Sequence, residues 1–367
     1  MNNPLYFSDL IGQFNVDLTI KQVTPFGNGH INDTYLVRTE PASAADYILQ
    51  RKNHQIFKNI TGMMNNIVIA TDHIRNQLIV EGEKEVNRKV MTYIPARDGQ
   101  MFVNDDKGNF WTLFLYIADC RVFENISQPE QAFSAARAFG RFQTQLSNLP
   151  GEQLIETIPN FHNVISRLFD FQLSILKDIA GRVNDQQQLI DKIIGRAPEM
   201  TMLQQWLDDK SLPLRITHND TKINNILFDK QNEPLCVIDL DTVMPGSALY
   251  DFGDAIRTLG NRAAEDEPDL SKISFNHDIF EAFAHGYLSG ASPFLTDLES
   301  NNLAFSCRYM AWEQAMRFLT DYLNGDIYYK TDYQGHNLVR TKAQIRYLEV
   351  LEENTGLMER MIKAGLL

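Results

Sequence analysis

The sequence predicts an α+β chain of two lobes, a small antiparallel sheet followed by a mainly helical body. Three observations carry this. Short β-rich runs separated by turn signals fill the first part of the chain. The pattern then switches to helical spacing and stays there. A polar constellation, His218-Asn219-Asp220, then Asn225, then Asp239, falls on loops beside two short apolar runs. With 367 residues, roughly two domains are expected, placed at 1–120 and 121–367.

Each element follows from its residues. Thr19–Val23 and Thr34–Val37 flank a Gly-containing turn, and Tyr47–Gln50 follows a small-residue loop, which predicts three strands. Ile67, Ala70, Thr71, Ile74 and Leu78 recur at helical spacing. Strands are expected again at 88–94, 101–103 and 111–117. The run from Glu130 to Ser147 is rich in helix formers, with Pro129 just before it and Pro150-Gly151 closing it. Further helices are expected at 160–180, 186–207, 276–290, 300–324 and 336–364, with short strands at 225–228 and 235–238.

Composition narrows the function. Hydrophobic residues make up 44% and charged residues 22%, ordinary for a globular protein with a large core. The net charge of −13 argues against a nucleic-acid surface, and an anionic substrate would have to be held by local cations and metal. Cys120, Cys236 and Cys307 are widely spaced, so neither a disulfide framework nor a zinc site is expected. The first ten residues have no basic region and no long apolar run, unlike a secretory signal. No stretch of about 18 apolar residues spans a membrane. A cytoplasmic monomer that engages small molecules, with no nucleic-acid or membrane partner, is the expectation.

The constellation at 218–239 suits metal-assisted phosphoryl transfer. Asp220 followed five residues later by Asn225 matches the pattern H-x-D-x-x-x-x-N. Asp220 would meet the attacking hydroxyl. Asn225 would offer an amide oxygen to magnesium, a hard cation that keeps several waters and needs few protein ligands. The alternative is a polar turn capped by Asn and Asp. The next apolar run, Leu235–Ile238, ends in Asp239, a carboxylate at a strand tip suited to the same metal. Asp241 is either a further ligand or a residue that orients Asp220. His218 reads as structural, bonding backbone to fix the loop. The later Tyr250-Asp251-Phe252-Gly253-Asp254 has no strand before it. Its expected work is to cap a helix at 255–258 and bond the catalytic loop.

Two N-terminal segments fit a nucleotide. Gly27-Asn28-Gly29 lies between two strands, where backbone N–H groups can approach phosphates closely. A dinucleotide fingerprint is excluded because a strand follows, not a helix, and no G-x-x-x-x-G-K-[ST] motif occurs. In Ile48-Leu49-Gln50-Arg51-Lys52, Arg51 stands closest to the register of a phosphate-gripping cation, with Lys52 on the opposite face. For either cation the alternative is a solvated surface charge.

These motifs resemble the aminoglycoside phosphotransferase/choline kinase group of the protein-kinase-like fold, and within it the N-acetylhexosamine 1-kinases. The resemblance runs through Pro25–Tyr35, Ile48–Arg51, Thr217–Phe228, Val237–Gly246, Tyr250–Arg257 and Arg317–Asp326. It implies ATP- and magnesium-dependent phosphorylation of the anomeric hydroxyl of N-acetylglucosamine or N-acetylgalactosamine. It also implies sugar contacts from Asp33, Arg317 and Tyr328. Hydroxyl-binding charges and a Tyr that stacks on a ring suit a pyranose. Arg317 could instead be an ordinary helix partner of Glu313. The rivals are a kinase of another small alcohol (aminoglycoside, choline or homoserine) and a catalytically inactive nucleotide-binding protein.

Overall fold

The computed structural model describes residues 4–27 and 31–366. Contacts divide the chain into two compact units. The first takes residues 1–121 and adds 152–159 and 227–244; the second takes 122–151, 160–226 and 245–367. The predicted split at 120 names only the largest piece of the first unit, which draws two later segments into itself.

The first unit opens with helix α1 (Pro4–Ile11) and the strands β1 (Thr19–Pro25), β2 (Asp33–Glu40) and β3 (Tyr47–Lys52). Helix α2 (Ile60–Val80) and the short helix α3 (Val86–Lys89) follow, then β4 (Tyr93–Ile94), β5 (Val103–Asn104) and β6 (Phe110–Leu115). The strands form one antiparallel sheet in the order β1-β2-β3-β6-β4, with β5 also on β6. One face is closed by α1, whose Phe7, Leu10 and Ile11 pack with Val37, Tyr47, Leu49, Trp111 and Leu113. The Asn59 side chain caps α2 by accepting from Gly62 N at 2.9 Å.

The strand expected over 88–94 is corrected: residues 86–89 are helical and only Tyr93–Ile94 pairs. The cause is a long-range tether. The Arg75 guanidinium donates to Asn87 Oδ1 at 2.7 Å, Met91 O at 3.2 Å and Thr92 Oγ1 at 2.6 Å, which folds the segment against α2.

The second unit contains α4 (Pro129–Leu146), α5 (Val164–Lys177), α6 (Gln187–Met200), α7 (Met202–Asp208) and the strand β7 (Arg215–Thr217). The chain then enters the hairpin of β8 (Ile226–Phe228) and β9 (Pro234–Val237). The second unit resumes with α8 (Ala248–Leu259), α9 (His277–Ala291), α10 (Asp297–Asn301), α11 (Leu303–Leu323) and α12 (His336–Gly365). Pro129 occupies the first turn of α4, as expected. The single helical run expected over 186–207 is broken at Thr201, just after Pro198 in the last turn of α6. One apolar core holds the unit together, with Trp312, Tyr287, Tyr309, Tyr347, Phe171 and Phe280 all closed off from solvent. Of the three cysteines, Cys236 and Cys307 are buried and Cys120 is partly buried; all carry free thiols.

Candidate active site

In the second unit the loop after β7 is built around Asp220. Lys222 Nζ lies 2.7 Å from Asp220 Oδ1, and Asn225 Nδ2 donates to Asp220 Oδ2 at 3.0 Å and to its backbone oxygen at 2.9 Å. Burial pushes the Asp220 carboxyl up, but Lys222, His218 and Asn225 together pull it below the ordinary carboxylate value. Asp220 is therefore ionised at neutral pH. The same pair, with Asp254 nearby, raises Lys222 above its ordinary value against the cost of burial. Lys222 is the residue that sequence reasoning missed. Its position two residues after Asp220 was the available signal.

Asp251 fixes this loop from α8. Its carboxylate accepts from His218 N at 2.9 Å, Asn219 N at 2.7 Å and Gln143 Nε2 at 2.6 Å, and its carbonyl accepts from Thr221 Oγ1 at 2.6 Å. Burial drives its carboxyl above the ordinary value in spite of these donors. Binding of the loop by Asp251 was expected, but the capping role was not placed correctly. α8 begins at Ala248, and Ser247 caps it by accepting from Leu249 N at 3.2 Å. His218 is fully buried against Phe139 and Phe142, and its Nδ1 accepts from Asp220 N at 3.3 Å. Asn219 holds a left-handed backbone, φ +61, and its side chain exchanges hydrogen bonds with Thr217. Gly246 packs so closely here that a Cβ would overlap Thr217 Oγ1 and press on Asn219 Oδ1.

In the first unit the corresponding centre is Asp241. Its Oδ1 lies 2.5 Å from Lys52 Nζ, and its Oδ2 accepts from Asn32 Nδ2 at 2.8 Å. Lys52 Nζ also donates to Gln50 Oε1 at 2.6 Å. Asn66 of α2 donates to Val243 O at 2.9 Å and to Ile155 O at 2.7 Å, tying the helix to the same segment. Two residues upstream, Asp239 follows β9 in a left-handed conformation, φ +59 and ψ +57, before the turn Leu240–Thr242. Burial first, then the carboxylates Asp241 and Asp239, push the Tyr93 phenol well above its ordinary value.

These contacts revise two sequence expectations. The cation that reaches the Asp239–Asp241 segment is Lys52, 1% exposed at its side chain, whereas Arg51 is 43% exposed and ion-paired with Asp33. Asp33 and Arg51 lie opposite one another in the β2–β3 register, on the face that carries Tyr35, Val37, Tyr47 and Leu49. So Arg51, expected at a nucleotide, and Asp33, expected at a sugar, hold each other. Asp241 has both oxygens engaged, by Lys52 and Asn32, so it anchors this segment to β3. Gly27 has φ +76; Asn28 and Gly29 lie outside the described residues.

Asn225 in the second unit and Asp239 in the first each offer an oxygen of the kind a hard divalent cation takes. The amide nitrogen of Asn225 is used on Asp220, which leaves its oxygen as the atom to offer a metal.

The second unit also contains a cavity of about 420 Å³ between α5, α11 and the 327–329 segment. Arg167, Leu173, Arg317, Asp321, Tyr328 and Tyr329 line it. It brings together Arg317 and Tyr328, both expected at an acceptor. The Arg317 guanidinium lies over the rings of Phe161 at 5.1 Å and Tyr329 at 5.8 Å, and 3.9 Å from Glu313 Oε1.

The fold recurs in solved kinases. An aminoglycoside phosphotransferase from Alicyclobacillus acidocaldarius superposes with a TM-score of 0.64 at 13% identity, over 97% of this chain and 98% of that one. A spectinomycin phosphotransferase in complex with ADP and spectinomycin gives 0.54 at 13%, over 96% and 99%. An ethanolamine kinase from Plasmodium vivax gives 0.58 at 14%, over 92% and 85%. These likenesses show the shared α+β kinase-like fold. The sequence model of the phosphotransferase enzyme family matches residues 22–291, which run from within β1 through the Asp220 loop and the Asp239 segment into α9, and the chain belongs to that family.

Proposed function

We propose that the chain is an ATP- and magnesium-dependent kinase that phosphorylates the anomeric hydroxyl of N-acetylglucosamine or N-acetylgalactosamine. The observation that carries phosphoryl transfer is the cluster of Asp220, Lys222 and Asn225. Asp220, held ionised, orients the acceptor hydroxyl and takes its proton as the bond to phosphorus forms. Its lowered basicity makes alignment its larger contribution. Lys222 brings a permanent positive charge to the same atoms, where it can stabilise charge on the transferred group. Asn225 and Asp239 would hold magnesium, which when bound neutralises phosphate charge. Gly27, Asn28, Gly29, Arg51 and Lys52 are proposed for the nucleotide, with Lys52 the better-placed cation.

The acceptor assignment is supported by the cavity that unites Arg317 and Tyr328 with the apolar side chains Leu173 and Ile327. A pyranose has polar edges and an apolar face, and this lining suits both. Asp33 is retained only as a residue to test, because its carboxylate is paired with Arg51. A second reading, an amino-alcohol or aminoglycoside kinase, is favoured by the names of the ethanolamine and aminoglycoside relatives.

The test is ADP release across N-acetylglucosamine, N-acetylgalactosamine, glucose, galactose, choline, homoserine and kanamycin, with phosphorus NMR of the product. Turnover of the N-acetyl sugars with phosphate on the anomeric oxygen supports the proposal. Phosphate on a primary alcohol, or turnover confined to amines, sinks it.

A further inference from the structure

The charges around the cavity are unevenly balanced. Arg167 and Arg317 both line it. Phe161 connects the two: Arg167 Nε and Nη2 donate to Phe161 O at 3.2 and 3.1 Å, while the ring of Phe161 supports the Arg317 guanidinium. Burial lowers Arg167 from its ordinary value, and the neighbouring charge of Arg317 lowers it further. The buried carboxylate that faces them, Glu313, is already bonded to His162 Nδ1 at 2.9 Å. Asp321 is committed as well. Its Oδ1 accepts from the backbone N–H groups of Ile327 and Tyr328 at 2.9 and 2.8 Å, and its Oδ2 from Tyr329 N at 3.0 Å and Asn337 Nδ2 at 2.8 Å. Asp170 and Lys177, at the exposed side of the lining, carry opposite charges.

We propose that Arg167 and Arg317 make this cavity a charge filter, which binds the acceptor through neutral oxygen atoms and rejects acceptors that carry an ammonium group. The proposal rests on the cavity being the acceptor site, and it names Arg167 as a specificity-determining residue. Both guanidiniums present donors only, and of the two carboxylates in the lining Asp321 is fully engaged while Asp170 stands at the exposed side. An ammonium ion placed beside them would bring like charge and further donors to groups that have no acceptor. Discrimination would come from repulsion as much as from attraction.

The matched pair N-acetylglucosamine and glucosamine differs at one nitrogen, neutral in the first and cationic in the second. Calorimetric titration and ADP-release kinetics with the full chain should favour the neutral sugar by about 10²-fold in kcat/KM. R167Q should shrink that ratio roughly tenfold, and R167K, which keeps the charge, should preserve it. Raising ionic strength should lower the wild-type ratio by screening, a readout that survives if R167Q does not fold. Equal kcat/KM for glucosamine and its acetylated form overturns the filter, as does a ratio indifferent to both salt and R167Q. Absence of measurable binding by all of N-acetylglucosamine, glucosamine, glucose and galactose also overturns it. Turnover of glucose or galactose but no N-acetyl sugar, with glucosamine still refused, removes the acceptor proposed above and leaves the filter standing.

Discussion

Lys52 Nζ lies 2.5 Å from Asp241 Oδ1, with both side chains almost wholly enclosed. The pair locks the end of β3 to the segment that carries Asp239. Removing one partner leaves the other charge buried and unpaired. Lys52→Met is therefore expected to cost about 3–5 kcal/mol, and Lys52→Met with Asp241→Leu less than either single change. Urea denaturation of the four proteins of this cycle measures it. Additive losses would contradict the coupling.

Asp220→Asn keeps the shape of the loop and removes the charge. Turnover should fall about 10²–10⁴-fold. The KM for ATP should change little, because the proposed nucleotide contacts lie elsewhere. Steady-state kinetics decide, and wild-type turnover in the variant would sink the role of Asp220.

The pH dependence follows from the two shifts. Asp220 is depressed, so its contribution is present above the unfolded carboxylate pKa, about 3.9, and is lost as pH falls through its lower folded value. Lys222 is raised, so its contribution is complete below the unfolded value, about 10.4, and is lost only as pH rises through a higher one. The pair should therefore impose no change on kcat between about pH 5 and 9. Burial pushes Asp220 up, and the charge of Lys222 does most to hold it down. Lys222→Met removes that charge and leaves the burial. The acid limb of the kcat profile should move to higher pH in that variant. An unmoved limb would show that Lys222 does not set the ionisation of Asp220.

Gly246→Ala places a methyl against Thr217 Oγ1 and Asn219 Oδ1. The expected cost is about 1–3 kcal/mol, with a parallel loss of activity as the Asp220 loop shifts. Adding Thr217→Ala removes the nearer obstacle and should recover part of the melting temperature. No recovery would place the strain elsewhere.

The residues of the site were legible where chemistry is local in sequence. Asp220 and Asn225 are five residues apart on one loop, and Asp239 follows two residues after the second strand of the hairpin. The faces of β3 were not legible. Tyr47, Ile48 and Leu49 are all buried, so alternation offers no polar side from which to judge which of Arg51 and Lys52 turns toward the Asp239–Asp241 segment. The helical turn at 86–89 was equally hidden, because Arg75 reaches it from α2.

By itself, then, the sequence determined the α+β class, the order of carboxylate, amide and carboxylate along the chain, and the membership of segments whose spacing is short. Only the tertiary structure decided the partners. It joined Lys52 to Asp241 across 189 positions, set Asp251 beneath the Asp220 loop and gathered Arg167 with Arg317 around one cavity. The physical reason is that periodicity records which face of an element is buried, whereas the identity of what covers that face depends on how distant segments pack.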